Sequence, residues 1–135
     1  MNFAKILLII TTSILFVGCS TTPEDAVHNV YDAIKNGDMV KLINNSNYGT
    51  RGHFIKPALR ECSVDKSKYK DDDIKLVEDC LREKYSDISV TIDTSVKISK
   101  TESDINITVK NNSLESTYQL KVMKVEGVWI VVAGK

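Results

Sequence analysis

The sequence predicts an α+β domain in which helices come first and an antiparallel sheet of about four strands follows. Three observations carry that expectation. Apolar residues recur at helical spacing from Pro23 to Ile43 and again from Ile74 to Tyr85. From Ile88 onward they alternate with polar residues, the period of two that marks a half-buried strand. The strand-like runs are joined by turns too short for anything but antiparallel neighbours. Helices followed by a meander place the helices on one face of the sheet.

Composition bounds the function. The chain has 135 residues, 42% hydrophobic and 27% charged, which suits one globular domain. Its 18 Lys+Arg balance 18 Asp+Glu, so it lacks the basic excess that neutralises phosphates, and a nucleic-acid partner is not expected. An aromatic content of 7% also weakens a base-stacking role.

The first eighteen residues stand apart. Met1–Lys5 carries one positive charge, and Ile6–Val17 is apolar apart from Thr11, Thr12 and Ser13. That run matches a signal-peptide core and is shorter than the roughly 20 residues a membrane span needs. It also lacks the polar face of a buried core helix. Leu15–Phe16–Val17–Gly18–Cys19 then resembles a bacterial lipobox, with Phe16 where Leu is usual. The resemblance implies cleavage before Cys19, whose thiol carries diacylglycerol. It also implies several acyl chains (palmitate-like), since one chain binds membranes only marginally. Ser20 in place of Asp implies the periplasmic face of the outer membrane. The expected organisation is a signal peptide over residues 1–18, a lipidated tether over 19–22 and one α+β domain over 23–135.

The elements follow in order. Thr22 is placed to cap a helix with Pro23 at its first position and with Glu24 and Asp25 at the positive end of its dipole. Ala26, Val27, Val30, Tyr31, Ala33 and Ile34 share one face, and Asn36–Gly37 closes the helix. Asp38 caps a short second helix, Met39 to Ile43. The segment from Asn44 to Lys70 is irregular: Asn44–Gly52 is expected as loop, Pro57–Cys62 as a short helix and Ser63–Lys70 as connector. Asp71–Asp73 opens a third helix with Ile74, Val77, Leu81 and Tyr85 on its apolar side. An unbroken alternation of Ile88, Val90, Ile92, Val96 and Ile98, with Thr94 in phase, marks the first strand. Ile105–Val109, Tyr118–Val122 and Val128–Val132 mark the others, with turns at Thr101–Asp104 and Glu126–Gly127.

With Cys19 set aside, Cys62 and Cys80 remain. In an exported chain an even pair favours a disulfide, with two buried thiols as the alternative. Such a bridge closes a loop of about 18 residues, worth roughly 3 kcal/mol by chain entropy. A metal site is not expected, because His28 and His53 lack ligand spacing. Asp71–Asp73 lacks the Gly and Glu of a calcium loop and is expected to cap a helix.

"TPEDAVHNVYDAIKNGDMVKLI", a capped helix with an inward aromatic, then Asn-Gly-Asp and a second helix, resembles the opening of nuclear transport factor 2-like domains. It is similar to small bacterial lipoproteins of unknown function in that cystatin-like superfamily, and "GVWIVVAG" fits their last strand. The resemblance implies a cone in which helices fill the hollow of a curved antiparallel sheet. It also raises the possibility of an isomerase- or dehydratase-like enzyme with acid–base residues inside the cone. A carboxylate there gains basicity by desolvation. No carboxylate falls on an inward face: Asp93 and Asp104 are expected outward or in turns, His28 solvated and His53 in a loop. Tyr31 points inward and is the weak ligand candidate. The expectation is therefore a membrane-anchored, non-enzymatic binding domain without catalytic residues, cofactor or metal. It would take an envelope protein partner or a small apolar ligand, with a homodimer open. The polar outward faces and the long Asn44–Lys70 segment tilt that choice toward a protein partner.

Overall fold

The computed structural model describes residues 21–70 and 73–134. The expected signal peptide over residues 1–18, the expected lipidation site Cys19, and Asp71 and Asp72 lie outside them. Among the described residues four helices precede four strands: α1 (Pro23–Asn36), α2 (Met39–Asn45), α3 (Tyr48–Glu61), α4 (Ile74–Tyr85), then β1 (Ser89–Ser99), β2 (Glu102–Asn111), β3 (Leu114–Val125) and β4 (Val128–Gly134). A single 3-10 turn, Lys66–Lys68, separates α3 from α4. The fold is α+β, and the sheet is open, antiparallel and ordered β1-β2-β3-β4.

The first helix forms as its sequence dictates. The Thr22 hydroxyl accepts from the Asp25 amide at 3.1 Å, satisfying one of the donors a helix start leaves free. Gly37 ends the helix at φ 63, and its amide donates to the Ala33 carbonyl. A Cβ on Gly37 would stand 2.4 Å from the Glu78 carbonyl oxygen, so glycine here serves both the turn and the contact with α4. Asp38 caps α2 by accepting from the Lys41 amide at 3.0 Å. That helix runs to Asn45, two residues beyond Ile43.

The largest correction falls on Asn44–Lys70. Asn44–Gly52 is not a loop, nor does a helix begin at Pro57: α3 runs through Gly49, Gly52 and Pro57 as fourteen residues. Two glycines and a proline that cannot donate to the preceding turn oppose a helix locally. Tertiary contacts override them. The Asn47 side chain caps α3 by accepting from the Thr50 amide at 2.9 Å. The Asn47 amide nitrogen Nδ2 donates to the Val132 carbonyl at 2.8 Å, and Thr50 Oγ1 to the Val131 carbonyl at 3.1 Å, fastening α3 to β4. Ala58 is buried, and Phe54, Ile55 and Leu59 pack on the core. At the other end of α3, Cys62 is joined to Cys80 of α4, their Cα atoms 5.3 Å apart.

In α4, Leu81 and Tyr85 are buried with Cys80, but Ile74, at the helix start, is 59% exposed. The β1 alternation also breaks. A register shift between Ile92 and Thr94 inserts one unpaired residue. Val96 and Ile98 consequently turn to solvent, 53% and 52% exposed, while Ser95 takes the inward place opposite Ile105. Two strands also run longer than their apolar runs. β2 begins at Glu102 inside the expected turn, and β3 at Leu114 ahead of Tyr118. Ile105 pairs with Leu120 and Ile107 with Tyr118, so the inward faces of β2 and β3 coincide. Val27, Val30, Ile34, Leu42, Leu81, Ile105, Ile107, Val122 and Val131 are each at most 1% exposed and form the core between helices and sheet.

Candidate ligand-binding hollow

Between α1, α3, the end of α4 and the inner face of β2–β4 lies a cavity of about 620 Å³. That falls within the range of drug-sized ligand sites. Its floor is apolar: Val30 from α1, Ile88 before β1, Val109 from β2, Leu120 from β3 and Val131 from β4. Phe54 and Pro57 of α3 supply the opposite wall. Helix α3, where the sequence suggests loop as far as Gly52, is thus the element that makes the hollow concave.

Aromatic rings order this wall. Phe54 stands edge-on to Tyr31, with ring centroids 5.6 Å apart, and edge-on to Tyr85 at 5.8 Å. Edge-to-face pairs set the negative face of one ring against the positive rim of the next. The Tyr85 hydroxyl donates to the Phe54 carbonyl at 3.2 Å, which adds a hydrogen bond between α4 and α3. Tyr31, the sequence candidate, does line the hollow. Burial pushes its phenol well above the usual tyrosine range, with the Tyr118 and Tyr85 rings adding to the effect. Tyr85 is pushed up to about 12, again chiefly by burial. Both remain neutral hydrogen-bonding groups throughout the physiological range.

Polar groups are few. His53 of α3 lies at the hollow with its ring edge-on to Phe54, on a helix rather than in a loop. Lys84 lines the hollow too, with its ammonium paired to Glu61. Asn111 Nδ2 donates to the Lys84 carbonyl at 3.4 Å, and its Oδ1 is buried without a protein hydrogen bond. The reverse amide orientation would oppose two acceptors, so this one is set by the Lys84 carbonyl. No Asp or Glu is among the lining residues. The hollow can therefore hold an apolar body and orient it by a few polar groups. A general base would have to be His53 or a tyrosine.

The remaining sequence candidates lie elsewhere. His28 is exposed on α1. Asp93 accepts from the Thr108 hydroxyl at 2.7 Å, away from the hollow. Asp73 caps α4 by accepting from the Lys75 amide at 2.9 Å. Among the described residues no group of three or more His, Cys, Asp or Glu could hold a metal ion, and no helix is long and apolar enough to cross a membrane. Phe54 and Lys84 escaped the sequence reading, and His53 was weighed there only as a loop residue. The helical spacing of Thr50, Phe54, Pro57 and Ala58 was the signal available, hidden by the two glycines.

No family model and no curated protein matches the chain. Among solved structures, one likeness is to a Campylobacter jejuni protein whose name describes it as an NTF2-like transpeptidase. The chain is similar to that protein. Identity is 18%, over 83% of this chain and 98% of the other, with a TM-score of 0.41.

Proposed function

We propose that this chain is a lipid-anchored protein of the bacterial envelope whose domain binds a small apolar molecule without transforming it. The observation that supports the binding reading is the hollow itself: about 620 Å³, apolar in floor and wall, with no carboxylate in its lining. The sequence tilts toward a protein partner on two grounds, its polar outward faces and the length of Asn44–Lys70 as a recognition loop. Most of that segment is α3, a wall of the hollow, so its length speaks for enclosing a ligand. The isomerase-like alternative requires an inward carboxylate with raised pKa. The only inward groups whose pKa is raised are tyrosines, which burial keeps protonated and so unsuited to accept a proton. Anchoring rests on the lipobox-like run ending at Cys19, and the outer membrane on Ser20 after it.

Native mass spectrometry of residues 20–135, secreted without the cysteine, tests the binding reading. A co-purifying small molecule, released on denaturation, is the expected result. A bare chain that also fails to enhance the fluorescence of an apolar naphthalene probe would remove it.

A further inference from the structure

We propose that the buried hydroxyl of Tyr31 is the polar subsite of the hollow, and that the ligand it takes is an apolar molecule bearing a neutral carbonyl oxygen. The proposal rests on the binding reading above and adds the chemical class of what is bound.

Tyr31 is 5% exposed and lines the hollow. Its ring stands edge-on to Phe54, which stands edge-on to Tyr85 in turn, so packing fixes where the hydroxyl sits. Among the described residues that hydroxyl has no hydrogen-bond partner. A buried polar group in that condition is uncommon, because burial costs it the bonds it would make in water. Asn111 Oδ1 is the one unpaired side-chain oxygen or nitrogen, among the described residues, that is also shielded. The Tyr31 hydroxyl is therefore reachable, and the space its ring borders is the hollow.

The two other phenols of the lining differ from it. The Tyr85 hydroxyl is committed as a donor to the Phe54 carbonyl at 3.2 Å. Tyr118, on β3 opposite Ile107, is 40% exposed, so water competes for its hydroxyl. Tyr31 is the phenol with a free proton in the driest place.

A ligand that fills the hollow displaces water from this hydroxyl and has to supply the bond itself. Which bond follows from the protonation. Burial keeps the Tyr31 phenol neutral through the physiological range, so it always has an O–H to donate. A hydrocarbon leaves that donor unpaired. A carboxylate would accept from it but would bring a charge into an apolar space. Lys84, the lysine of the lining, is already paired with Glu61, and His53 is exposed. An anion beside Tyr31 would thus be buried without a free cation to meet it. A neutral carbonyl satisfies the donor and buries no charge.

Binding of acetylnaphthalene, ethylnaphthalene and naphthoate to residues 20–135 tests the subsite, since the three share a ring system and differ in the oxygen. Acetylnaphthalene is expected to bind about tenfold tighter than ethylnaphthalene, and naphthoate more weakly than acetylnaphthalene. Tyr31→Phe removes the hydroxyl and keeps the ring. It should bring acetylnaphthalene down to the level of ethylnaphthalene and leave ethylnaphthalene unchanged. Tyr118→Phe should cost less, and Tyr69→Phe, outside the hollow, nothing. The infrared carbonyl band of bound acetylnaphthalene should lie below its position in hexane and return toward it in Tyr31→Phe, a shift that altered packing alone would not produce. Should Tyr31→Phe fail to fold, the affinity ratio and the band position in the unaltered chain still decide. Equal affinity for the acetyl and ethyl compounds, an unshifted band, or a preference for naphthoate would overturn the subsite and leave the binding reading standing. Failure of all three compounds to bind would overturn the binding reading, and the subsite with it.

Discussion

At the scale of single residues, Asn111 departs from the rule that buried polar atoms are paired. Its Oδ1 is shielded and makes no protein hydrogen bond, while its Nδ2 makes only a long one to the Lys84 carbonyl. An unsatisfied buried acceptor costs about 1–3 kcal/mol, more than a long hydrogen bond returns. Asn111→Leu is therefore expected to raise stability by about 1 kcal/mol, seen as a higher urea midpoint at unchanged slope. A lower midpoint would mean that Oδ1 is satisfied in solution. Of the three polar residues buried in the core, Asn45, Ser46 and Ser103, the first two show their partners directly. Asn45 Nδ2 donates to the Lys41 carbonyl at 2.7 Å while its Oδ1 accepts from Asn29, and Ser46 Oγ donates to the Leu42 carbonyl.

Among the elements, α3 is the one whose existence depends most on its neighbours. Two glycines and an internal proline weaken it, and it is held at its ends by Asn47 and Thr50 on β4 and by the Cys62–Cys80 bridge on α4. The bridge constrains the unfolded chain by roughly 3 kcal/mol for a loop of this length. Its loss should reach further than stability, because α3 is a wall of the hollow. Cys62→Ala/Cys80→Ala is expected to lower the urea midpoint by about that amount. It should also raise amide exchange in α3 ahead of exchange in β2 and β3, as hydrogen–deuterium exchange would detect. Uniform acceleration across all elements would show that α3 holds its place without the bridge.

For the whole molecule, the titration of the hollow sets a limit on the alkaline side. Burial raises the phenols of Tyr31 and Tyr85 above the ordinary value near 10. In the unfolded chain both ionise at the ordinary value, so above it the unfolded state loses protons that the folded state retains. Their contribution is complete below about pH 10 and is lost as pH rises toward the folded values, about 12 for Tyr85. Urea midpoints should fall between these limits. Phenolate absorbance from Tyr31 and Tyr85 should appear only close to unfolding. Simultaneous ionisation of all tyrosines in the folded state would contradict a closed aromatic wall.

Local signals were enough for α1 and α2. Thr22, Pro23, Gly37 and Asp38 act on the backbone within a turn of themselves, and those helices form where their caps place them. The periods of three to four and of two named the α+β class for the same reason, since they record which side of an element is dry. Tyr31 was legible as inward because five other apolar residues share its face. What neighbours decide was hidden. Helix α3 exists through bonds to β4, residues some 80 positions away, so its own glycines and proline misdirected the reading. The bulge after Ile92 is fixed by pairing with β2, and it reversed the facing of Val96 and Ile98 while the alternation in the sequence continued unbroken. The hollow, formed by side chains from α1, α3, α4 and β2–β4, has no signature in any one of them. Short-range hydrogen bonding and burial periodicity determined the class and the first helices from sequence alone. Contacts between distant segments, which set where each surface ends up, decided the site.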